Sequence, residues 1–221
     1  MNEEELLKEM HQAALGGELA VVLELTNSGL EMGVKAETML FGALMPALEE
    51  AGARFECGDF YVPDMLMAGQ AMAKALVVLR PLLLATGVEP VGTFVMGTVK
   101  GDVHDIGKNL VTIMLEGAGF QVVDLGVQVA PERFVEAIQE HHADVVGFSA
   151  FLTTTMPMFK ENIKALEKAG IRDQVIVAVG GAPVTQDYAD AVGADAYASD
   201  ASGAVKRVRE LLAHKRAVTS A

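Results

Sequence analysis

The chain has 221 residues, room for one large or two small domains, and 51% of them are hydrophobic, so a sizeable core can form. A net charge of -13 leaves no basic stripe for phosphates and excludes a nucleic-acid partner. One cysteine, Cys57, excludes an intramolecular disulfide and suits a reducing cytosol, and the acidic start MNEEELLKEM is no signal peptide, so a cytoplasmic location is expected.

Residues 1 to about 84 carry helical periodicity and little strand signal. Leu6, Met10, Ala13 and Ala14 form one stripe, ending at Gly16 and Gly17. Leu19, Val22, Leu23 and Leu30 predict a second helix, closed by Gly29 and Gly33. Residues 37–51 predict a third, with Met39, Leu40, Leu44 and Leu48 inward and Pro46 as a kink. After a break over 52–63, residues 64–84 make a long fourth. Four helices with short connections form a bundle, the expected domain 1–84. Arg80, Pro81 and the glycines interrupt the longest apolar run, so no membrane segment is expected. The twelve methionines read as core filling.

Residues 85–90 are the linker, punctuated by Gly87 and Pro90. The second domain, 91–215, alternates strands and helices. Apolar runs fall at 91–96, 121–125, 144–149, 175–179 and 195–198, with helical segments near 105–116, 131–141, 156–168, 185–192 and 202–214. Five such units predict an α/β fold, a Rossmann-like (flavodoxin-like) five-stranded parallel sheet with helices on both faces. Ligands of such sheets bind beyond the carboxyl ends of the strands, in the loops at 97–104, 149–155, 180–185 and 199–202. The tail after Lys215 is expected to fray.

The first of these loops, GTVKGDVHDIGKN (97–109), carries the chemistry. Residues two apart do not share a helix face, so Asp102 and His104 meet only if 102–104 is loop. Placed there, the carboxylate accepts an imidazole N–H and leaves the other nitrogen free for a metal. The alternative is a capping Asp beside a surface His. A phosphate loop needs four residues between its glycines and a Ser or Thr after the Lys, whereas five separate Gly101 from Gly107 and Asn109 follows Lys108. The second loop, Ser149 to Thr155, is dense in hydroxyls. The third holds Gly180, Gly181 and Ala182, where a ligand can approach the backbone, and the fifth strand ends in Tyr197, Ser199, Asp200, Ala201 and Ser202. Each has a plainer reading as a helix cap or turn. Their common position at the end of the sheet that holds His104 favours a site.

Asp102-x-His104-x-x-Gly107, after a strand and before a helix, resembles the cobalamin-binding signature of corrinoid proteins. Residues 90 to about 213 are similar to the cobalamin-binding region of methionine synthase and of corrinoid methyl-carrier proteins of methyltransferase systems, and residues 1–84 to the helical domain that precedes it. The resemblance implies a cobalamin or related corrinoid, in its methylcobalamin state, with His104 as lower axial ligand to cobalt in place of the cofactor's own benzimidazole. It implies Asp102 as hydrogen-bond partner of His104, with the hydroxyl of Thr155 as third member, where methionine synthase has Ser. Ser149, Leu152 and Thr153 would contact the displaced nucleotide tail, Gly180, Gly181 and Ala201 would line its slot, and Gly101, Val103 and Asp105 would flank the ring edge. Phe55, Tyr61, Val62 and Met65 resemble the cap over the cobalt's upper face. Without the resemblance they read as helix–helix core. Phe41 falls where the family has a glutamate.

The function so implied is a subunit that carries a methyl group on cobalt without itself holding the substrate. A substrate-specific methyltransferase would load it, a second one using a folate or thiol would unload it, and a reductive activation protein would restore it. Two other readings stand beside this one: a cobalamin-dependent sensor, which usually carries a basic DNA-binding segment, and the cobalamin subunit of a mutase, which needs a barrel partner. Methanol, methylamines, methoxylated aromatics and betaines are all possible donors on the resemblance alone.

Overall fold

The computed structural model describes residues 1–87 and 89–219; Val88, within the expected linker, and the last two residues lie outside the described set. The chain divides into two units, Met1–Pro90 with Glu116–Gly119, and Val91–Leu115 with the residues from Phe120 onward.

The first unit holds α1 (Glu3–Leu15), α2 (Leu19–Glu31), α3 (Ala36–Met39), α4 (Met45–Glu56) and α5 (Val62–Ala85). A capping box starts α1: the Asn2 side chain accepts the Glu5 N–H, and the Glu5 carboxylate accepts the Asn2 N–H. A π-helical turn over Leu40–Leu44 joins α3 to α4, so the two make one rod and the bundle has four. Pro46 accounts for that turn. It has no N–H to give to Gly42, and one residue earlier the Met45 N–H reaches back to Leu40, so the ladder absorbs the proline without a break.

Three local expectations change. Gly29 does not close α2, which runs on to Glu31; it is buried, and a Cβ there would meet Met39 Sδ at 2.6 Å and Leu6 Cδ2 at 2.9 Å. The glycine therefore permits close packing, and Gly33, at φ +81°, makes the stop. α4 continues through buried Gly52 to Glu56, so the break expected over 52–63 shrinks to the turn before Val62. α5, with 24 residues, is long and apolar enough by length and composition to cross a membrane, where the sequence reading counted no such run. Its buried Met65, Ala68, Met72, Ala75, Leu79 and Leu83 recur every three or four positions, the stripe of a bundle helix. They pack in the unit against α1, α2 and α4. Pro81 lies inside α5 and leaves the Val77 carbonyl without its helical donor, but both residues are exposed and water can serve that oxygen.

The second unit alternates β1 (Thr93–Thr98), α6 (Ile106–Gly117), β2 (Gln121–Asp124), α7 (Pro131–His141), β3 (Val145–Ser149), α8 (Met158–Lys168), β4 (Ile176–Gly180), α9 (Gln186–Val192), β5 (Ala196–Tyr197) and α10 (Ala201–Thr219). All strands are parallel, in the order β2-β1-β3-β4-β5. α10 carries on past Lys215, where fraying was expected. A core of Val95, Phe134, Ile138, Val146, Phe148, Phe159, Ile163 and Leu166 lies between sheet and helices, with Phe134 edge-on to Phe148 at 4.8 Å. At the opposite end from the strands' carboxyl termini, two aspartates tie neighbouring strands: Asp144 accepts the Thr93 N–H and Asp195 the Val177 N–H. A bidentate Arg172 holds Asp195 at 3.0 Å.

The strand order reverses at β1, whose two neighbours are β2 and β3. The crevice beyond the carboxyl ends of β1 and β3 is where such a sheet binds its ligand. The register puts Thr98, Ser149 and Gly180 side by side across β1, β3 and β4 at that end.

Gly17 gives a test of the helical packing. It stands at φ +69° between α1 and α2, and a Cβ there would lie 2.9 Å from the Met67 carbonyl carbon. Gly17→Ala must pay the left-handed backbone cost of about 1–2 kcal/mol and push against main chain that cannot turn aside. Urea unfolding should show a loss of at least that size; an unchanged midpoint would contradict the packing of α5 on this turn.

Candidate functional site

Residues 102–105 belong to neither strand nor helix, and this lets Asp102 and His104 face each other. Gly101, at φ +86°, reverses the chain after β1. Asp102 is fully buried, and its carboxylate accepts five hydrogen bonds. Oδ1 takes the His104 N–H and His104 Nδ1, both at 3.0 Å. Oδ2 takes the N–H of Phe151 at 2.8 Å, the N–H of Leu152 at 3.2 Å and the Thr155 hydroxyl at 2.7 Å. Thr155 Oγ1 also lies 2.9 Å from the Leu152 carbonyl, but it has one proton, and the charged acceptor is the stronger claimant.

Burial alone would push the Asp102 carboxyl up. The bonds from Thr155, from the backbone of His104 and Phe151 and from the His104 ring outweigh it and hold the group well below the usual carboxylate range. Asp102 is therefore an anion at neutral pH and can only accept. His104 Nδ1 must carry the proton, which leaves a lone pair on Nε2. Among the described residues Nε2 has no hydrogen-bond partner, and the side chain is 45% exposed.

A bare metal ion could not stay there. No group of three or more His, Cys, Asp or Glu able to hold a metal occurs among the described residues. A metal bound through His104 would take its other ligands from outside these side chains, as a metal in a macrocycle does. The surroundings suit a large apolar ring. Among the described residues the exposed large apolar side chains of the second unit are Val103, Ile106, Val127, Phe151, Leu152 and Val218; Val103, Val127, Phe151 and Leu152 lie on loops beyond the strands' carboxyl ends and Ile106 opens α6 two residues after His104. A Cβ added at Gly107 or Gly180 would meet nothing within 4 Å, so both glycines leave open space.

The other residues singled out in the sequence fall as follows. Ser149 is half-buried at the end of β3, and its carbonyl accepts the Val99 N–H. Thr153 is exposed beside Leu152. Gly181, at φ +134°, lacks a Cβ because the Ala150 backbone occupies that place, with its carbonyl carbon 2.8 Å away. Ala201 is buried at the start of α10, where Asp200 caps the helix by accepting the Gly203 N–H and the Ser199 hydroxyl. Asp105 is exposed, and its carbonyl accepts the Asn109 N–H. In the helical unit, Phe55 ends α4 half-buried, Tyr61 is exposed, Val62 opens α5 and Met65 is fully buried.

Three participants were not read from the sequence. Buried Thr98 donates its hydroxyl to the His104 carbonyl at 2.9 Å and so fixes the loop from beneath. Phe151 stacks on the His104 ring, with centroids 4.3 Å apart and planes at 29°. Lys108, which a phosphate loop would offer to a ligand, is buried in an ion pair with Asp124 at 2.5 Å and ties α6 to the end of β2. An inward hydroxyl on the last residue of β1 was the available signal for Thr98. No pattern marked the other two.

Residues 92–208 and residues 6–80 each match a family described as a B12 binding domain. The chain is 41% identical over 215 residues to the dimethylamine corrinoid protein of Methanosarcina barkeri, covering 96% of this chain and 100% of that protein. It is 38% identical over 210 residues to a corrinoid protein of Desulfitobacterium hafniense, covering 94% and 97%. Among solved structures it resembles a chain of the methanol:cobalamin methyltransferase complex MtaBC of Methanosarcina barkeri, with a TM-score of 0.85 and 30% identity over 96% of this chain and 81% of that one. A cobalamin-binding protein of Desulfitobacterium hafniense gives a TM-score of 0.70 at 30% identity, covering 90% and 95%.

Thr155→Val tests the Asp102 network. It removes one donor, so the carboxyl should return towards its ordinary range and the fold should lose about 1–3 kcal/mol at neutral pH. A depressed carboxyl stabilises the fold fully above its unfolded value, about pH 4, and the contribution fades as pH falls below that. Urea unfolding at pH 7 and pH 3 should therefore show a smaller acid loss in the variant than in the parent. Equal losses would mean that Thr155 does not hold the charge.

Proposed function

This chain belongs to the family of B12-binding corrinoid proteins, and from that premise we propose that it carries a methyl group on the cobalt of a bound cobalamin or related corrinoid, between methyltransferases. The carrying observation is the buried Asp102 anion, which presents His104 with Nδ1 occupied and Nε2 free inside an apolar rim. When bound, the corrinoid supplies the chemistry, accepting a methyl group at cobalt and giving it up to an acceptor.

The chain's own residues bind, orient and hold a proton. His104, through the Nε2 lone pair, would hold the cobalt of the corrinoid. The ring rests against the Asp102 anion through Nδ1–H, 3.0 Å from Oδ1. Thr155 and the N–H groups of Phe151 and Leu152 keep Asp102 ionised. Thr98 holds the loop backbone at His104 in place. The exposed Val103, Ile106 and Leu152 supply apolar contact for the ring edge, and the open face at Gly180 leaves room for a nucleotide tail beside Ser149 and Thr153.

The substrate is held by a partner methyltransferase. The relatives named for dimethylamine support a methylated amine as the donor to try first, ahead of methanol. A second methyltransferase using a folate or thiol acceptor, a reductive activation protein and a cytoplasmic setting complete the proposal.

The test loads the purified chain with cobalamin and mixes it with an amine-specific methyltransferase and isotopically labelled dimethylamine. Label should appear on the protein-bound corrinoid. Asp102→Asn should keep the corrinoid through gel filtration but transfer methyl about 10–100-fold more slowly, the usual cost of losing the group that orients a metal-bound imidazole. No label with any methylated amine or methanol would contradict the carrier role. A full rate in Asp102→Asn would remove Asp102 from it.

A further inference from the structure

The proposed function gives the Phe151 side chain no task, yet its ring lies against the imidazole of His104, with centroids 4.3 Å apart and planes at 29°. The same residue donates its N–H to Asp102 Oδ2 at 2.8 Å, while Asp102 Oδ1 holds His104 Nδ1 at 3.0 Å. Carboxylate, backbone, phenyl and imidazole thus close a ring of contacts. The hydrogen bond at Nδ1 and the covalent tether at Cβ leave the imidazole a tilt about the line between them, and a tilt moves Nε2. A phenyl face laid along the imidazole opposes that tilt on one side.

We propose that Phe151 is a positioning residue: by stacking on His104 it sets the plane of the imidazole and so aims Nε2 at the cobalt. This rests on the reading of His104 as axial ligand. The plainer reading makes Phe151 one more apolar side chain on the rim, since it is half exposed. A rim asks only for apolar surface, which the exposed Leu152 beside it already gives. The near-parallel stack and the backbone bond to the same carboxylate are what a rim does not need.

The experiment uses the full chain and the variants Phe151→Leu, Phe151→Ala and Phe151→Tyr, all at an exposed position that the fold tolerates. Without corrinoid, proton NMR should show the His104 ring protons shifted upfield by the phenyl ring current in the parent and in Phe151→Tyr. In the Leu and Ala variants they should move downfield. With cobalamin bound and cobalt in its paramagnetic cobalt(II) form at fixed pH, the ratio of His-ligated to unligated protein should fall roughly two- to tenfold in Leu and Ala, the worth of one aromatic stack, and Tyr should restore it.

Unchanged ring shifts in the Leu variant would show that there is no stack and overturn the proposal. A moved shift with an unchanged ligation ratio would show a stack that does not aim the ring, and would overturn it too. Loss of corrinoid from Phe151→Leu, which keeps an apolar rim, would make Phe151 binding surface and not a positioning residue. A parent without any nitrogen ligand on cobalt would overturn the axial role of His104 itself, an outcome distinct from the other three.

Discussion

Everything at this site depends on one buried anion. A carboxylate taken out of water is costly unless its oxygens are fully engaged. Asp102 meets that condition with donors from three places: the His104 backbone and ring, the N–H groups after β3, and the Thr155 hydroxyl at the approach to α8. Satisfying the charge therefore knits the loop after β1 to the loop after β3. These two strands flank the point where the sheet order turns back on itself. The crevice that the topology opens is the place where the anion presents His104.

The chemistry is correspondingly divided. Among the described residues no group of three or more metal-ligating side chains occurs, so in the proposed role the chain would supply one ligand, His104, and the corrinoid the rest. The chain's own contribution is a fixed tautomer and a buried counter-charge beside the ring. A network of this kind is worth more than any one of its bonds, because a half-satisfied carboxylate would be worse than none. This explains why buried Thr98 and Thr155, two hydroxyls of little weight alone, stand where they do.

Much of this was legible in the sequence, for identifiable reasons. Alternating apolar runs and amphipathic segments carry the parallel sheet, and the helix at 131–141 agrees with α7 to the residue. The D-x-H spacing allowed an Asp102–His104 contact only in a loop, and residues 102–105 are loop. What stayed hidden depends on neighbours distant in the chain. Gly29 looked like a stop because its packing against Met39 and Leu6 is invisible to periodicity. Pro46 is expected to kink its helix, and the π turn by which the chain meets it is not visible to periodicity. Phe151 gave no signal because its partner, His104, lies 47 residues earlier, beyond any local pattern.

The central claim is that His104 Nε2, and no nitrogen of the cofactor, is the lower ligand to cobalt. Its most direct test is electron paramagnetic resonance of the cobalt(II) form of protein grown with nitrogen-15 histidine and loaded with unlabelled cobalamin. Nitrogen-14 splits each cobalt line into three and nitrogen-15 into two. The account predicts doublets in the labelled parent and no nitrogen splitting in His104→Ala. Triplets persisting in the labelled protein would place the cofactor's own base on the cobalt and contradict it.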